Sequence, residues 1–246
     1  MSKPVKIVLV FQSLLGIYGD QGNARVALQR LQMRGIDAEL VIVEPGDEVP
    51  ADGQLYLLGG GEDMAQISAL RALQEDGNIF RALESSAVLF AVCAGFQICG
   101  RSFTVGDRDE VTEGLGLLDI QTRRGAERAV GEVLHRWTMP DGTQSIITGF
   151  ENHGGYTTLG PDAEPLARVE VGVGNNGEGL EGAVQRGPGG KGWVIGTYPH
   201  GPVLARNPEL ADHLLQLATG LELGPLPMPE LDELRAQRIE HARTLR

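Results

Sequence analysis

The sequence predicts an α/β domain built on a mostly parallel sheet, and three observations carry that prediction. Apolar runs at residues 6–10, 38–43, 54–58 and 88–92 are long enough for strands buried on both faces and too short for typical helices. Between them, residues 24–33, 66–73 and 79–83 place apolar side chains at helical spacing. Strands and helices that alternate in this way through residue 100 require parallel pairing with right-handed crossovers.

The elements follow in order. Residues 6–10 form the first strand, and the loop to residue 23 carries Tyr18-Gly19-Asp20-Gln21-Gly22-Asn23. Asp20 or Asn23 is placed to cap the helix over 24–33, which Gly35 ends. The third strand runs directly into Gly59-Gly60-Gly61-Glu62-Asp63, where bare N–H groups at a strand's C-terminal end suit an oxyanion. A phosphate loop is excluded there, because no G-x-x-x-x-G-K-[ST] occurs. From Gly114 onward the texture changes to short alternating runs at 115–121, 131–138, 145–150, 167–173, 183–186 and 193–197, read as strands completing or flanking the sheet. Residues 207–219 make an amphipathic helix capped by Asn207, with Pro208 at its first position. The chain divides into a domain over residues 1–222 and, over 223–246, a proline-broken linker with a charged helical tail that docks on a partner or frays.

The fourth strand ends at Cys93. Ala91 and Gly95 flank that thiol with small residues, as a sharp strand-to-helix turn requires, although such a turn usually begins with Gly instead of Ala. At this corner Cys93 is a candidate nucleophile, whereas Cys99 reads as a small core residue. The last strand leads into Tyr198-Pro199-His200-Gly201-Pro202, which sets His200 at the same sheet edge as a candidate base. His153 is the rival; His135, His213 and His241 lie in weaker contexts.

Composition narrows the classes. A formal net charge of -12 repels phosphate backbones, and the densest basic stretch, Arg123-Arg124 with Arg128, is short, so nucleic acid is not an expected partner. Two cysteines fit a reducing compartment and no disulfide framework. The longest apolar runs fall far below the roughly 20 residues that span a bilayer, and residues 1–6 carry no signal-peptide pattern, so a cytoplasmic protein without a transmembrane segment is expected.

The GGGED loop, the Cys93-Ala94-Gly95-Phe96-Gln97 elbow and the strand ending in His200 resemble class I glutamine amidotransferases, within them the cobyric acid synthase-like branch. Tyr-Gly-Asp-Gln-Gly-Asn, Gly149-Phe150-Glu151-Asn152-His153-Gly154-Gly155 and Gly196-Thr197-Tyr198-Pro199-His200-Gly201-Pro202 further resemble the GatD-type glutaminase subunits of lipid II isoglutaminyl synthase. The likeness covers residues 5 to about 220. It implies a single three-layer domain of the flavodoxin-like amidotransferase fold. It also implies that Cys93 attacks the side-chain amide of L-glutamine, that His200 passes a proton to departing ammonia, and that N–H groups of Gly60 or Gly61 and of Ala94 hold the oxyanion. Arg128, in Glu127-Arg128-Ala129-Val130-Gly131-Glu132, matches the arginine that holds the glutamine, and Gln97 touches the substrate.

Most class I relatives place a Glu two residues after the His, but that position is Pro202, so the resemblance suggests an acid supplied by a partner and a low activity for the chain alone. No metal or cofactor is expected on this chain. ATP and Mg²⁺ belong to an expected Mur ligase-like partner, which amidates D-glutamate in lipid II. Two alternatives stay open: a glutaminase serving cobyrinate or cobyric acid synthesis, whose relatives carry an upstream ATPase domain while the fold here begins at residue 5, and a catalytically silent binding subunit.

Overall fold

The computed structural model describes residues 3–16, 18–106 and 110–245. Residues 1–2 of the N-terminal lead-in, Ile17 in the loop after the first strand and Arg246 of the tail lie outside them. The first half follows the expected alternation: β1 (Val5–Val10), α1 (Gln12–Leu15), α2 (Gln21–Gln32), β2 (Ala38–Val43), β3 (Leu55–Leu58), α3 (Asp63–Asp76), α4 (Asn78–Glu84), β4 (Val88–Val92) and α5 (Ala94–Cys99). The second half comprises β5 (Ser102–Val105), β6 (Glu110–Glu113), β7 (Ile120–Thr138), β8 (Gln144–Leu159), β9 (Ala167–Val171), β10 (Leu180–Glu181), β11 (Ala183–Arg186), β12 (Trp193–Thr197), α6 (Val203–Arg206), α7 (Pro208–Thr219) and α8 (Pro229–Arg243).

The central sheet has the order β11-β12-β4-β3-β1-β2, parallel throughout except for the edge strand β11. From β1 the chain steps outward to β2, then returns to β3 and moves the other way to β4. Right-handed crossovers therefore put α2 on one face and α3 with α4 on the other, giving three layers. The reversal between β1 and β3 is the switch point where open α/β sheets form clefts at their strands' C-terminal ends. Every residue of β4 is buried, which is why its sequence is an unbroken apolar run. Truncating Leu89 or Phe90, both fully buried, to Ala costs about 2–5 kcal/mol.

Only β11 and β12 of the later strands join this sheet. The others form a second sheet, β10-β9-β7-β5-β6, with β8 on β7. The segments expected at 115–121 and 131–138 are parts of one arrangement: 115–118 pass through a loop that buries Leu115, Leu117 and Leu118, and β7 continues from Ile120 to Thr138 as one arm of a long hairpin with β8. A register shift between Arg124 and Ala129 interrupts that pairing. It flips the alternation, so that Ile120 and Thr122 point inward before it and Val133, His135 and Trp137 after it.

Helix α7 buries Leu210, Ala211, Leu214 and Leu215 and ends at Gly220, φ 68°. Arg30 of α2 grips Asp212 of α7 with two hydrogen bonds of 2.6 and 2.7 Å. Asn207 precedes the helix but does not cap it. Its amide bridges to β8 instead, accepting from the Thr148 N–H and donating to the Thr148 carbonyl. The tail helix α8 lies on the outer face of the second sheet, where Ala242 packs with Leu134 and Val171.

Candidate active site

At the end of β4 the backbone of Cys93 is forced to φ 53°, ψ -107°, a strained conformation for a residue with a side chain. Its N–H donates to the Thr197 carbonyl at 2.9 Å, and its carbonyl accepts from the Gln97 N–H at 3.0 Å, so both neighbouring elements hold the corner. Gly95 is needed here: a Cβ at that position would stand 2.8 Å from Leu58 Cβ and 2.9 Å from the Gly59 carbonyl. The turn leaves the Cys93 side chain in the floor of a cleft of about 250 Å³, also lined by Gly61, Ala94, Gln97, Arg124, Arg128, Asn152 and His153. Cys99 is fully buried, and burial pushes its thiol up. That matches the core role expected for it.

β12 lies beside β4 in register, so the segment after Thr197 emerges next to Cys93. His200 is clamped by a two-way backbone bridge to Phe150 of β8, with hydrogen bonds of 2.9 and 3.1 Å. The Tyr18 ring leans on the imidazole with centroids 4.5 Å apart. His200 Nε2 is buried and makes no hydrogen bond among the described residues. Burial alone would lower the affinity of this ring for a proton. The hydrogen-bonded side chain of Asp20 and the neighbouring Cys93 sulfur outweigh it, and the imidazole is pushed up to about 10.

Pro202 leaves the usual third position without a carboxylate, but an acid from the partner is not required to face the imidazole. Asp20 of this chain, 2 % exposed, accepts from His200 Nδ1, with its two oxygens at 3.0 and 3.2 Å. The expected capping role of Asp20 is thereby corrected: it precedes α2, and its side chain makes no bond to that helix. Asn23 does not cap α2 either and instead accepts from the Leu204 N–H of α6 at 2.9 Å. The Tyr-Gly-Asp-Gln-Gly-Asn loop and the Tyr-Pro-His-Gly-Pro segment are thus one stitched unit, although about 180 residues separate them. Sequence reasoning missed Asp20 because an acid before a helix reads as a cap. The available signal was the strand order, which aligns the loops after β12, β4, β3 and β1 along one edge.

The glycine loop also departs from expectation. The Gly60 N–H, read as an oxyanion donor, donates to Asp20 Oδ2 at 2.9 Å. Gly61 and Ala94 both line the cleft, and neither N–H makes a hydrogen bond among the described residues. The bareness of Gly60 serves a close approach, because a Cβ there would stand 2.7 Å from His200 Cε1.

Across the cleft, the bulge in β7 carries Arg128, which is exposed and donates from Nε to Asn152 Oδ1 at 2.7 Å. Gln97 lies deeper, accepting from Gln66 Nε2 at 2.9 Å and donating to the Tyr198 hydroxyl at 3.2 Å. Thr157 bonds the same hydroxyl at 2.7 Å, and burial pushes the Tyr198 phenol up. His153 lines the cleft too, but it stacks on Tyr198 with centroids 3.7 Å apart and directs Nδ1 to the Gly155 carbonyl at 2.8 Å. His135 is buried, which lowers its proton affinity; His213 packs against Trp137, and His241 lies on α8.

Comparison with known proteins bears on the family and the fold. The chain is 31% identical over 230 residues to the lipid II isoglutaminyl synthase (glutamine-hydrolyzing) subunit GatD of Staphylococcus aureus, covering 92% of this chain and 90% of that one. It is 29% identical to the GatD of Streptococcus pneumoniae, covering 96% and 88%. Cobyric acid synthase of Brucella canis is 35% identical over 207 residues, but this chain spans only 39% of its length. Among solved structures, one titled a glutamine amidotransferase superposes with a TM-score of 0.55 at 22% identity, over 88% of this chain and 100% of that one. The glutaminase domain of Trypanosoma brucei CTPS gives 0.51 at 12% identity, over 92% and 98%; both likenesses concern the fold. The family model of the CobB/CobQ-like glutamine amidotransferase domain matches residues 6–208, and to that family this chain belongs.

Proposed function

We propose that this chain is the glutaminase subunit of a lipid II-amidating complex, with Cys93 and His200 as its catalytic pair. The observation that carries the chemistry is the strained Cys93 corner at the cleft beside an imidazole whose Nδ1 is held by the carboxylate of Asp20. The thiolate attacks the carboxamide carbon of glutamine, and the resulting oxyanion meets the N–H groups of Gly61 and Ala94, each such donor being worth about 3–4 kcal/mol. His200 gives its proton to the departing nitrogen, so that ammonia leaves and a γ-glutamyl thioester remains. The imidazole then takes a proton from water, whose oxygen attacks the thioester, releasing glutamate and restoring the thiolate. Arg128 offers a planar fork to the α-carboxylate of the substrate, and Gln97 orients its amide. Thiol, imidazole and backbone N–H groups suffice for this reaction, so the chain itself needs neither metal nor cofactor.

The acceptor reading rests on the GatD relatives, which match this chain over about nine tenths of both partners. In that reading ammonia passes to an ATP- and Mg²⁺-dependent Mur ligase-like subunit, which amidates the α-carboxylate of D-glutamate in lipid II to D-isoglutamine. Lipid II is met through the partner, since no helix among the described residues is long and apolar enough to cross a membrane. Both cysteines are free, in keeping with a cytoplasmic setting. Cobyric acid synthesis is the second reading, favoured only by the identity to those longer enzymes.

The test is Cys93→Ala in the assembled complex. Glutamine-dependent amidation should vanish while amidation from ammonium salts persists, and 6-diazo-5-oxo-norleucine should label wild-type Cys93 alone. Loss of both activities would assign Cys93 to assembly, and absence of any adduct would favour a silent subunit.

A further inference from the structure

We propose that Asp20 is the third member of the catalytic constellation and makes the triad complete within this one chain, so that the chain hydrolyses glutamine without an acid from a partner. The inference rests on the thiol–imidazole reading above and adds a positioning residue to it. Asp20 lies in the loop that follows β1, and its carboxylate is 2 % exposed. That burial excludes water as its partner, and each oxygen is used. Both lie within hydrogen-bond reach of His200 Nδ1, and Oδ2 also accepts the Gly60 N–H at 2.9 Å.

Two consequences follow from those contacts. A carboxylate on Nδ1 fixes the tautomer and leaves Nε2, which bonds nothing among the described residues, as the ring nitrogen that can pass a proton. The shared Gly60 N–H ties the position of the imidazole to the glycine loop whose next residue, Gly61, offers its N–H to the cleft. One buried acid therefore sets both the proton donor and the loop of the oxyanion site. The unit is locked from outside by Asn23 on Leu204 and by Gly22, where a Cβ would stand 2.2 Å from Pro202 Cγ. Pro202, which removes an acid from the position two residues after the His, is thus also the residue that packs the acid-bearing loop against it.

The titratable groups facing the ring are Asp20, Cys93 and Tyr18; Arg206 of α6, which stands beside Gly201, is paired with Glu132 at 2.8 Å. Asp20→Asn is the informative change, because the amide oxygen still accepts from Gly60 while its NH₂ cannot accept from Nδ1–H. We expect the purified wild-type chain, without partner, to release glutamate from glutamine, and Asp20→Asn to lower kcat about 10²- to 10⁴-fold with little change in KM. Nitrogen chemical shifts of His200 give a readout that does not depend on glutamine. The wild-type imidazolium should persist well above neutral pH, and in Asp20→Asn it should titrate at a lower pH. Asp20→Glu should recover part of the rate.

If wild-type His200 titrates like an exposed histidine, the proposal is overturned whether or not any variant folds. A variant that keeps wild-type kcat and an unmoved His200 titration overturns it as well. A wild-type chain with the expected titration but no glutamine hydrolysis, alone or with its partner, would instead count against the glutaminase reading and leave the Asp20–His200 link standing.

Discussion

Cys93, His200 and Asp20 are each less than a tenth exposed and are fixed by backbone on several sides, whereas Arg124 and Arg128, across the same cleft, are exposed and ride on a bulge. The first group stands on the edge of the central sheet, where parallel strands in register leave their ends no freedom. The second stands on a hairpin whose pairing is interrupted at that point. A rigid edge suits bond making, since a misplacement of about 1 Å can cost 10²-fold in rate. An adaptable arm suits the capture of a substrate that must enter and leave. On this division, changes at the edge should fall on kcat and changes on the hairpin on KM.

Gly60→Ala presses hardest on the rigid side. The new methyl would stand 2.7 Å from His200 Cε1, 3.2 Å from Tyr18 Cδ2 and 3.3 Å from Asp20 Oδ2, so the imidazole must move. We expect kcat for glutamine hydrolysis to fall by roughly 10²-fold or more, with a stability loss of about 1–3 kcal/mol from overpacking. Steady-state kinetics with a thermal melt check both, and a kcat within twofold of wild type would show that the edge is softer than its contacts suggest.

Arg128→Ala probes the other side of the comparison. A hydrogen bond to a charged group is worth about 1.5–3 kcal/mol, so KM for glutamine should rise about 10- to 100-fold while kcat changes little. Arg128→Lys should fall between, because a point charge replaces a planar fork. An unchanged KM would remove Arg128 from the site, and a loss confined to kcat would break the division of labour itself.

The same contrast explains what could be read from sequence. β1, β3, β4 and β12 were legible because strands buried on both faces are continuous apolar runs, and β11 and β12 were bounded correctly by their turns. The hairpin was not, since its arms read as the separate runs 115–121, 131–138 and 145–150 and the bulge reverses the inward parity. The placement of Cys93 and His200 at one sheet edge was legible from small neighbours and from a strand's end. Gly60 was misassigned because a bare N–H in sequence does not reveal what it already bonds. Asp20 acts on a residue 180 positions away, and only the strand order, absent from local pattern, brings the two together.

The smallest expected effect concerns the tail helix α8, which packs on the outer face of the hairpin sheet. Arg235 of α8 donates to Glu209 at 3.1 Å, to the Ser145 hydroxyl at 3.2 Å and to the Ile146 carbonyl at 2.5 Å, tying α7, α8 and β8 together. Its partners are half-buried or exposed, so Arg235→Ala should remove only about 1 kcal/mol, a lowering of Tm by about 2–4 °C for a chain of this size. Both kcat and KM should stay at wild-type values, because β8 reaches the cleft through Asn152 and His153, which are held by their own bonds to Arg128 and Gly155. A melt beside a glutamine titration decides it. Should KM rise while Tm holds, the hairpin is positioned through α8, and the adaptable arm would be one that the tail sets.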